Sequence, residues 1–520
     1  MPTTVPVIRV GNVHCKIDNL FAPIAQYLYD TMKCRADGYF FDPRYKHGIW
    51  DGYERFFDLK SHTFRSGLLP EVMRLLGDYG VLPIVKDERK QRDFLEHLHP
   101  LGMGYRICSG RIARDYQIQA YNSITYHKLS MDSTSDLDGK PAPVVLQWPR
   151  GIINIATNGG KTSIAIMLIK ELLDHLDDHH RFLFVTHSKE IALQARNELS
   201  NALGVEVGML GQGQRILRPV TVAMVPTMFS MSKKKADSAF AQLCKDTVAV
   251  VLDECHHGSA TSWMTVLDQM HNAVIRVGLT GTVDSKKKTA VRRLEGVTSH
   301  ITCRISNQYL IEQGVSAKPT CYIFPVEPDE TDLDNVPFQL QYDLGIVNNE
   351  YRNWLITEIC KKEASEGNHV LVLVDRLEQG NNIWHNLLEE DMFRMDNGAS
   401  PQYFTYFTNG QLESDMRSMV LDMMKEGAVS VLIASSILDE GVDISGINAL
   451  IYARGMKSQR KLLQGIGRGL RAKADGSGVA VYDFIDNSSK ILARHSQERL
   501  HNMEAEGFDI VNLDAGIFLQ

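Results

Sequence analysis

No stretch of this sequence approaches the roughly 18 consecutive apolar residues that a bilayer-spanning helix needs. The opening Met1-Pro2-Thr3-Thr4-Val5-Pro6 has neither the basic nor the apolar region of a secretory leader. Cysteine is sparse. Eight thiols are scattered singly with no Cys-x-x-Cys pair, which argues against a zinc site or a disulfide framework. These absences lead us to expect a cytoplasmic protein with reduced thiols and no membrane contact. An excess of positive charge is also missing: 56 Lys and Arg stand against 63 Asp and Glu, a formal net charge of −7. A globally basic nucleic-acid binder is thereby excluded. Any contact with a polyanion must come from Lys and Arg concentrated locally in a groove.

The composition present, 44% hydrophobic and 23% charged, is that of a folded globular protein. At 520 residues the chain is too long for one core, and two to four domains are expected. Residues 1–105 read as a small α/β unit containing a dense aromatic and basic stretch, Asp37 to Gly52. Turn residues bracket its short aromatic runs, which predicts a tight hairpin. Composition favours aromatic core packing there. The functional reading is a nucleic-acid surface, with rings stacking on bases and Arg44, Lys46 and Arg55 meeting phosphates.

Over residues 106–315, short apolar strands alternate with helical stretches. The strands are expected at Ile152–Ile155, Phe182–Val185, Val220–Met224, Val248–Leu252 and Ile275–Leu279. The pattern restarts near Lys318, with strands at Val370–Val374, Val431–Ala434, Ala449–Tyr452 and Val479–Tyr482, giving a second lobe over 316–500 and a tail over 501–520. Such alternation implies doubly wound parallel sheets whose ligand sits at the carboxyl edge of the strands. Ser130–Pro141 is polar and turn-rich and is expected to be a mobile loop. Glu327–Asn335 is acidic and is expected to be a solvated turn.

Three segments carry chemistry. Thr157-Asn158-Gly159-Gly160-Lys161-Thr162 follows a strand and opens a helix, where backbone N–H groups cradle phosphate oxygens. Lys161 would reach the β- and γ-phosphates and Thr162 would give its hydroxyl to Mg²⁺. The strict motif has glycine where Ile155 stands. Asp253-Glu254 closes a strand, with Asp253 placed to hold Mg²⁺ through its water shell and Glu254 to orient and deprotonate the attacking water. Downstream, Gln464-Gly465-Ile466-Gly467-Arg468-Gly469-Leu470-Arg471 puts two arginines on one helix face. Supplied from a second lobe, they would neutralise charge on the transferred phosphoryl group and make hydrolysis depend on closure. The second repeat has no phosphate loop of its own.

In this order, over roughly residues 106–490, the motifs resemble helicase superfamily 2 of the DExH type. The resemblance implies an α/β protein with two tandem RecA-like, doubly wound parallel-sheet domains preceded by the small α/β unit. It implies that Arg114, Tyr116 and Gln117 form the adenine-reading segment, and that Thr186, His187 and Thr227 line the nucleic-acid track. His256, Thr280 and Thr282 would couple hydrolysis to movement. Ser435 to Asp443 resembles motif V, giving Ser435 a nucleic-acid role and Gly441 and Asp443 a nucleotide role. Gln464, Arg468 and Arg471 belong to motif VI.

The stretch Ala36 to Arg44, followed by Trp50-Asp51-Gly52, is similar to the N-terminal region of phage branch-migration helicases. With it the likeness extends over nearly the whole chain, apart from the 129–146 insertion and Asn158-Gly159. That similarity implies an ATP- and Mg²⁺-dependent motor on branched or double-stranded DNA, with Arg44, Lys46 and Trp50 as DNA contacts. It implies work in phage replication, recombination and repair within host cytoplasm, as a monomer, beside single-stranded DNA-binding or recombination proteins. Two other readings stand beside it: an RNA-remodelling DExH helicase, and a nucleic-acid clamp or annealing protein switched by ATP. The intact Lys161, Glu254, Arg468 and Arg471 count against a pure switch. Lys233–Lys235 and Lys286–Lys288 are expected in solvated loops, the second near enough to the coupling segment for a phosphate contact. Binding selective for DNA structure rather than sequence is expected.

Overall fold

A computed structural model describes residues 5–108, 110–134, 141–234, 238–283, 287–327, 333–396, 404–409, 414–435, 447–458, 462–463, 466 and 478–518. Two compact units result. One is formed by the residues up to Ile155 together with Gly160–Ile305, the other mainly by those from Ser306 onward. Among the described residues no helix is long and apolar enough to cross a membrane. All eight cysteines are free thiols.

The larger sheet of the first unit has eight strands in the order 214–216, 208–211, 220–224, 181–186, 247–252, 275–280, 150–155 and 301–305. Every neighbouring pair is parallel except the short edge hairpin 208–211/214–216. The central strand Thr247–Leu252 is a β-branched run buried at every position, as expected of a parallel strand covered on both faces. The helix Lys161–Leu172 returns from strand 150–155 and is buried over most of its circumference, which is why its apolar residues do not form a single stripe. The five strands expected here all form. The edge strands 214–216 and 301–305, and strand 208–211 beside the first of them, are short and weakly patterned.

The amino-terminal part forms its own five-stranded sheet in the order 57–58, 63–65, 14–18, 7–10 and 84–87. Alternation in Val7–Val10 and His14–Asp18 turns Ile8, Val10, Cys15 and Ile17 inward onto the helices 22–31 and 69–78. This layer is fastened to the larger sheet. Asn12 Nδ2 donates to the His271 carbonyl at 3.0 Å, and the buried Arg150 Nη2 donates to the Asn12 carbonyl at 2.7 Å. Arg65 pairs with Asp268, and Arg292 with Glu71. Gly67 is pressed so closely on the helix Lys288–Val297 that a Cβ there would lie 2.0 Å from the Glu295 carbonyl oxygen.

Two expectations are corrected in this region. In the 129–146 insertion, the described residues of Ser130–Pro141, expected as a mobile loop, instead belong to the antiparallel strands Lys128–Thr134 and Pro141–Gln147, and residues 135–140 lie outside the described residues. The cause is apolar. Leu129, Leu146 and the fully buried Trp148 join the amino-terminal core. Residues 36–52 do not form a tight hairpin either. The short strands Lys33–Arg35 and Tyr53–Arg55 pair, and between them the chain makes two helical turns, Tyr39–Phe41 and Pro43–Lys46. The Pro43 ring at the first helical position and the Asp42 side chain, which accepts from the Arg44 N–H at 2.8 Å, favour that turn.

The second unit contains a wholly parallel seven-stranded sheet in the order 405–408, 431–434, 370–373, 449–452, 479–486, 319–326 and 509–512. Its four expected strands are present. Buried Arg352 and Arg499 are held by Asp486 and Asp483 of its strand 479–486. The stretch from 501, expected as a tail, finishes the helix Lys490–Ala505 and adds the edge strand Asp509–Asn512. In the acidic linker, Asp334 accepts from the Lys490 N–H at 2.7 Å.

Gly67→Ala should lower stability by about 1–3 kcal/mol through overpacking against backbone. Gly77→Ala, with nothing within 4 Å of its Cβ, should be neutral or mildly stabilising. Urea unfolding followed by tryptophan fluorescence compares the two.

Candidate nucleotide site

The strand order gathers the site. Strands 181–186, 247–252, 275–280 and 150–155 lie side by side and run the same way, so their carboxyl ends form one edge. From that edge emerge Thr186-His187, Asp253-Glu254, Thr280 and the loop 156–160. Ile155, where the strict phosphate-loop pattern has glycine, is simply the last, fully buried residue of its strand. The loop needs left-handed backbone at Asn158 (φ +70°) and Gly160 (φ +84°). Gly160 then caps the helix beginning at Lys161, leaving the N-terminal N–H groups of a twelve-residue helix directed at the loop.

Gln117, expected to read adenine, stands directly over this loop. A Cβ at Gly160 would come within 2.3 Å of its Nε2. Gln117 is buried, and its Oε1 accepts the Arg114 N–H at 3.0 Å, which holds it at the start of the helix Asp115–Thr125. The exposed Arg114 donates to the Tyr116 hydroxyl at 3.2 Å. Sequence reasoning missed Arg111, which bonds Ser163 in the phosphate-loop helix and pairs with Glu198 at 3.1 Å. Its position beside the adenine segment was the available signal.

Lys161 is in contact with Glu254 across the strand ends. Burial disfavours the lysine charge, but Glu254 and Asp253 hold the ammonium above its ordinary pKa. Burial likewise opposes ionisation of Glu254, and Lys161 and His256 outweigh it, keeping that carboxyl well below the usual range. Asp253 is pushed up to about 6 by burial, with the Glu254 charge adding to the shift and Lys161 opposing it. Glu254 adopts left-handed backbone (φ +46°) at the head of the tight turn Cys255–Ser259. His256 Nδ1 lies 3.3 Å from Glu254 Oε2 and 3.0 Å from Thr280 Oγ1. The Thr280 hydroxyl in turn donates to the Thr282 carbonyl at 3.0 Å. Lys161, Glu254, His256, Thr280 and Thr282 are therefore one chain of polar contacts. His257, which the sequence did not single out, packs its ring 4.1 Å from His187 and 4.2 Å from His256.

These residues suit a magnesium-bound triphosphate. The Gly160 cradle is filled by any side chain, and Asp253 Oδ1 is a buried acceptor with no hydrogen-bond partner among the described residues. Thr162, on the first turn of the helix, would supply a hydroxyl to the metal. Gly441, Asp443, Gln464, Arg468 and Arg471 lie outside the described residues.

The residues expected to meet nucleic acid are less uniformly placed. Thr186 is fully buried at the end of its strand, whereas Thr227 is partly exposed on the first turn of the helix Val225–Ser232. Ser435, in the second unit, follows strand 431–434 and donates its N–H to the Thr408 carbonyl at 3.2 Å. Around residues 36–52 core packing is overturned: Phe40, Phe41 and Ile49 are 52%, 71% and 77% exposed. Arg44 is held by Asp42 and lies 5.1 Å over Trp50, whose ring N–H donates to the Tyr53 carbonyl. Lys46 is exposed. Below them is a cleft of about 510 Å³ whose lining includes Tyr39, Arg44, Trp50, Tyr53, Glu54 and Arg293.

A phosphate loop, an acidic pair and a threonine bonded beside that pair lie on one parallel-sheet edge, the arrangement expected of a nucleoside-triphosphate-driven motor. Comparison with known proteins agrees. The family "Type III restriction enzyme, res subunit" matches residues 112–285, and "Helicase conserved C-terminal domain" matches 351–473. The chain belongs to helicase superfamily 2 and is an ATP-dependent helicase. It is related to the ATP-dependent DNA helicase uvsW of enterobacteria phage T4, 22% identical over 517 residues, covering 93% of this chain and 94% of that protein. The DNA 3'-5' translocase XPB2 of Sulfurisphaera tokodaii is 21% identical over 65% of this chain and 78% of its own length. The fold is shared with Mycobacterium smegmatis helicase Lhr bound to single-stranded DNA and AMP-PNP (TM-score 0.51, 17% identity, 81% of this chain and 50% of that one).

Lys161→Ala should abolish ATP hydrolysis, read as phosphate release at saturating ATP. Glu254→Gln should keep ATP binding, measured with a fluorescent analogue, while lowering kcat by about 10²-fold or more. Gly160→Ala should raise the KM for ATP by displacing Gln117, with the folded content unchanged by circular dichroism.

Proposed function

We propose that this protein remodels branched DNA, using ATP and Mg²⁺ to drive branch migration and to regress forks or unwind D-loops and R-loops, in phage replication, recombination and repair. The observation that carries the reading is the exposed aromatic and basic excursion at residues 36–52, set on a layer that is fastened to the motor sheet. Exposed rings beside cations suit stacking on unpaired bases at a branch point, where bases are open to both. Lys46 is the residue free to meet phosphate, while Arg44 and Trp50 form a prepaired platform. The relationship with a T4 DNA helicase over 93% of this chain supports DNA as the polymer.

At the nucleotide, Lys161 exchanges the Glu254 carboxylate for phosphate oxygens, releasing Glu254 to orient and deprotonate water. Thr162 and Asp253 would hold Mg²⁺, which would supply positive charge to neutralise the phosphates. Arg468 and Arg471, with Gln464, Gly441 and Asp443, serve the same reaction from the second repeat. The polar chain through His256 and Thr280 passes the change at Glu254 to Thr282.

The test is steady-state ATPase activity and strand displacement on four-way junctions, forks, linear duplex and RNA duplex. Junctions and forks should stimulate hydrolysis by about tenfold or more over no polymer, a barrier change of about 1.4 kcal/mol. Stimulation by RNA duplex with none by branched DNA would make this an RNA-remodelling helicase. Binding of DNA with no stimulated turnover would make it an ATP-switched clamp.

A further inference from the structure

We infer that Arg293 is a positioning residue that joins the nucleotide site to the aromatic excursion, and that Glu54 is its partner in this role. Arg293 lies on the helix Lys288–Val297, which follows Thr280–Thr282 in the chain. Its guanidinium makes two sets of contacts. Nη1 donates to the Ser259 carbonyl at 3.3 Å, at the end of the turn Cys255–Ser259 that begins immediately after Glu254. Nε and Nη2 donate to Glu54 Oε1 and Oε2 at 2.7 and 2.5 Å, a bidentate pair that fixes direction as well as distance. Glu54 belongs to the strand Tyr53–Arg55, which closes the excursion, and Tyr53 supplies the carbonyl to which the Trp50 ring N–H donates.

The contact is braced on both sides. At Gly258, inside the turn, a Cβ would meet Leu294 Cδ1 at 3.0 Å, so turn and helix are closely packed. One helical turn before Arg293, Thr289 Oγ1 donates to the Arg35 carbonyl at 2.8 Å, and Arg35 lies 4.3 Å over Tyr39 and 4.5 Å over Tyr53. A displacement of the Asp253-Glu254 turn is therefore carried by one guanidinium to the base of the platform proposed to meet DNA. A lysine cannot span Ser259 and both Glu54 oxygens at once.

This inference rests on the DNA-remodelling reading, and the experiment separates the two. Arg293→Ala, Arg293→Lys and Glu54→Gln are compared with the natural chain in three measurements: ATPase without DNA, junction affinity, and base pairs migrated per ATP hydrolysed on a four-way junction. The expected result is unchanged DNA-free ATPase and ATP KM, near-normal junction affinity, and a coupling ratio reduced severalfold in all three. The exchanged pair Arg293→Glu with Glu54→Arg should recover part of that ratio. A coupling ratio unchanged in every variant overturns the inference, as does a loss explained wholly by weaker junction binding or by altered DNA-free ATPase. If the natural chain itself is not stimulated by DNA, the remodelling reading fails first.

Discussion

The arrangement of the first unit depends on four parallel strands ending at the same level. Adjacent strands lie about 4.8 Å apart, so the phosphate loop and the acidic pair, two strands removed, emerge about 10 Å from each other. Lys161 and Glu254 close that gap by pointing toward one another. The strand between them ends in Thr280, which explains why that threonine reaches His256 beside the acidic pair and not elsewhere. Were any one of these strands antiparallel, its functional residue would be at the opposite edge of the sheet.

Local backbone conformation supplies what the sheet alone does not. Asn158, Gly160 and Glu254 all take left-handed conformations, and for the two residues with side chains this costs about 1–3 kcal/mol each. The sheet and its covering helices hold them there, and in return the loop curls under Gln117 and the Glu254 carboxylate faces Lys161. Opposite charges at close range then keep Lys161 and Glu254 ionised despite burial, whereas Asp253, with its second oxygen unpartnered, is the group whose charge burial most disfavours.

The parts legible in the sequence were those governed by local rules. Buried parallel strands are continuous apolar runs, and all nine expected across the two sheets are present. Lys161, Asp253 and Glu254 were readable because they sit at strand ends with turn residues beside them. Contacts made by folding were not readable: Arg111 on Ser163, Gln117 over Gly160, and His256 against Thr280 join residues far apart in the chain. Residues 36–52 misled for a physical reason. A cluster of aromatics with glycine and proline fits a packed hairpin as well as an exposed helical excursion, and only the neighbouring layer decides which face is covered. The insertion misled in the opposite way, because its polar tip masked the few apolar residues that dock it.

Leu129, Leu146 and Trp148 complete the amino-terminal core although they follow it in the chain by forty residues or more. The amino-terminal layer is thus not a detachable bead on a string. Cutting the chain near residue 105 would strip the cover from a buried indole and two leucines, leaving the remaining motor with a sticky flank. The two parts must be engineered as a single piece.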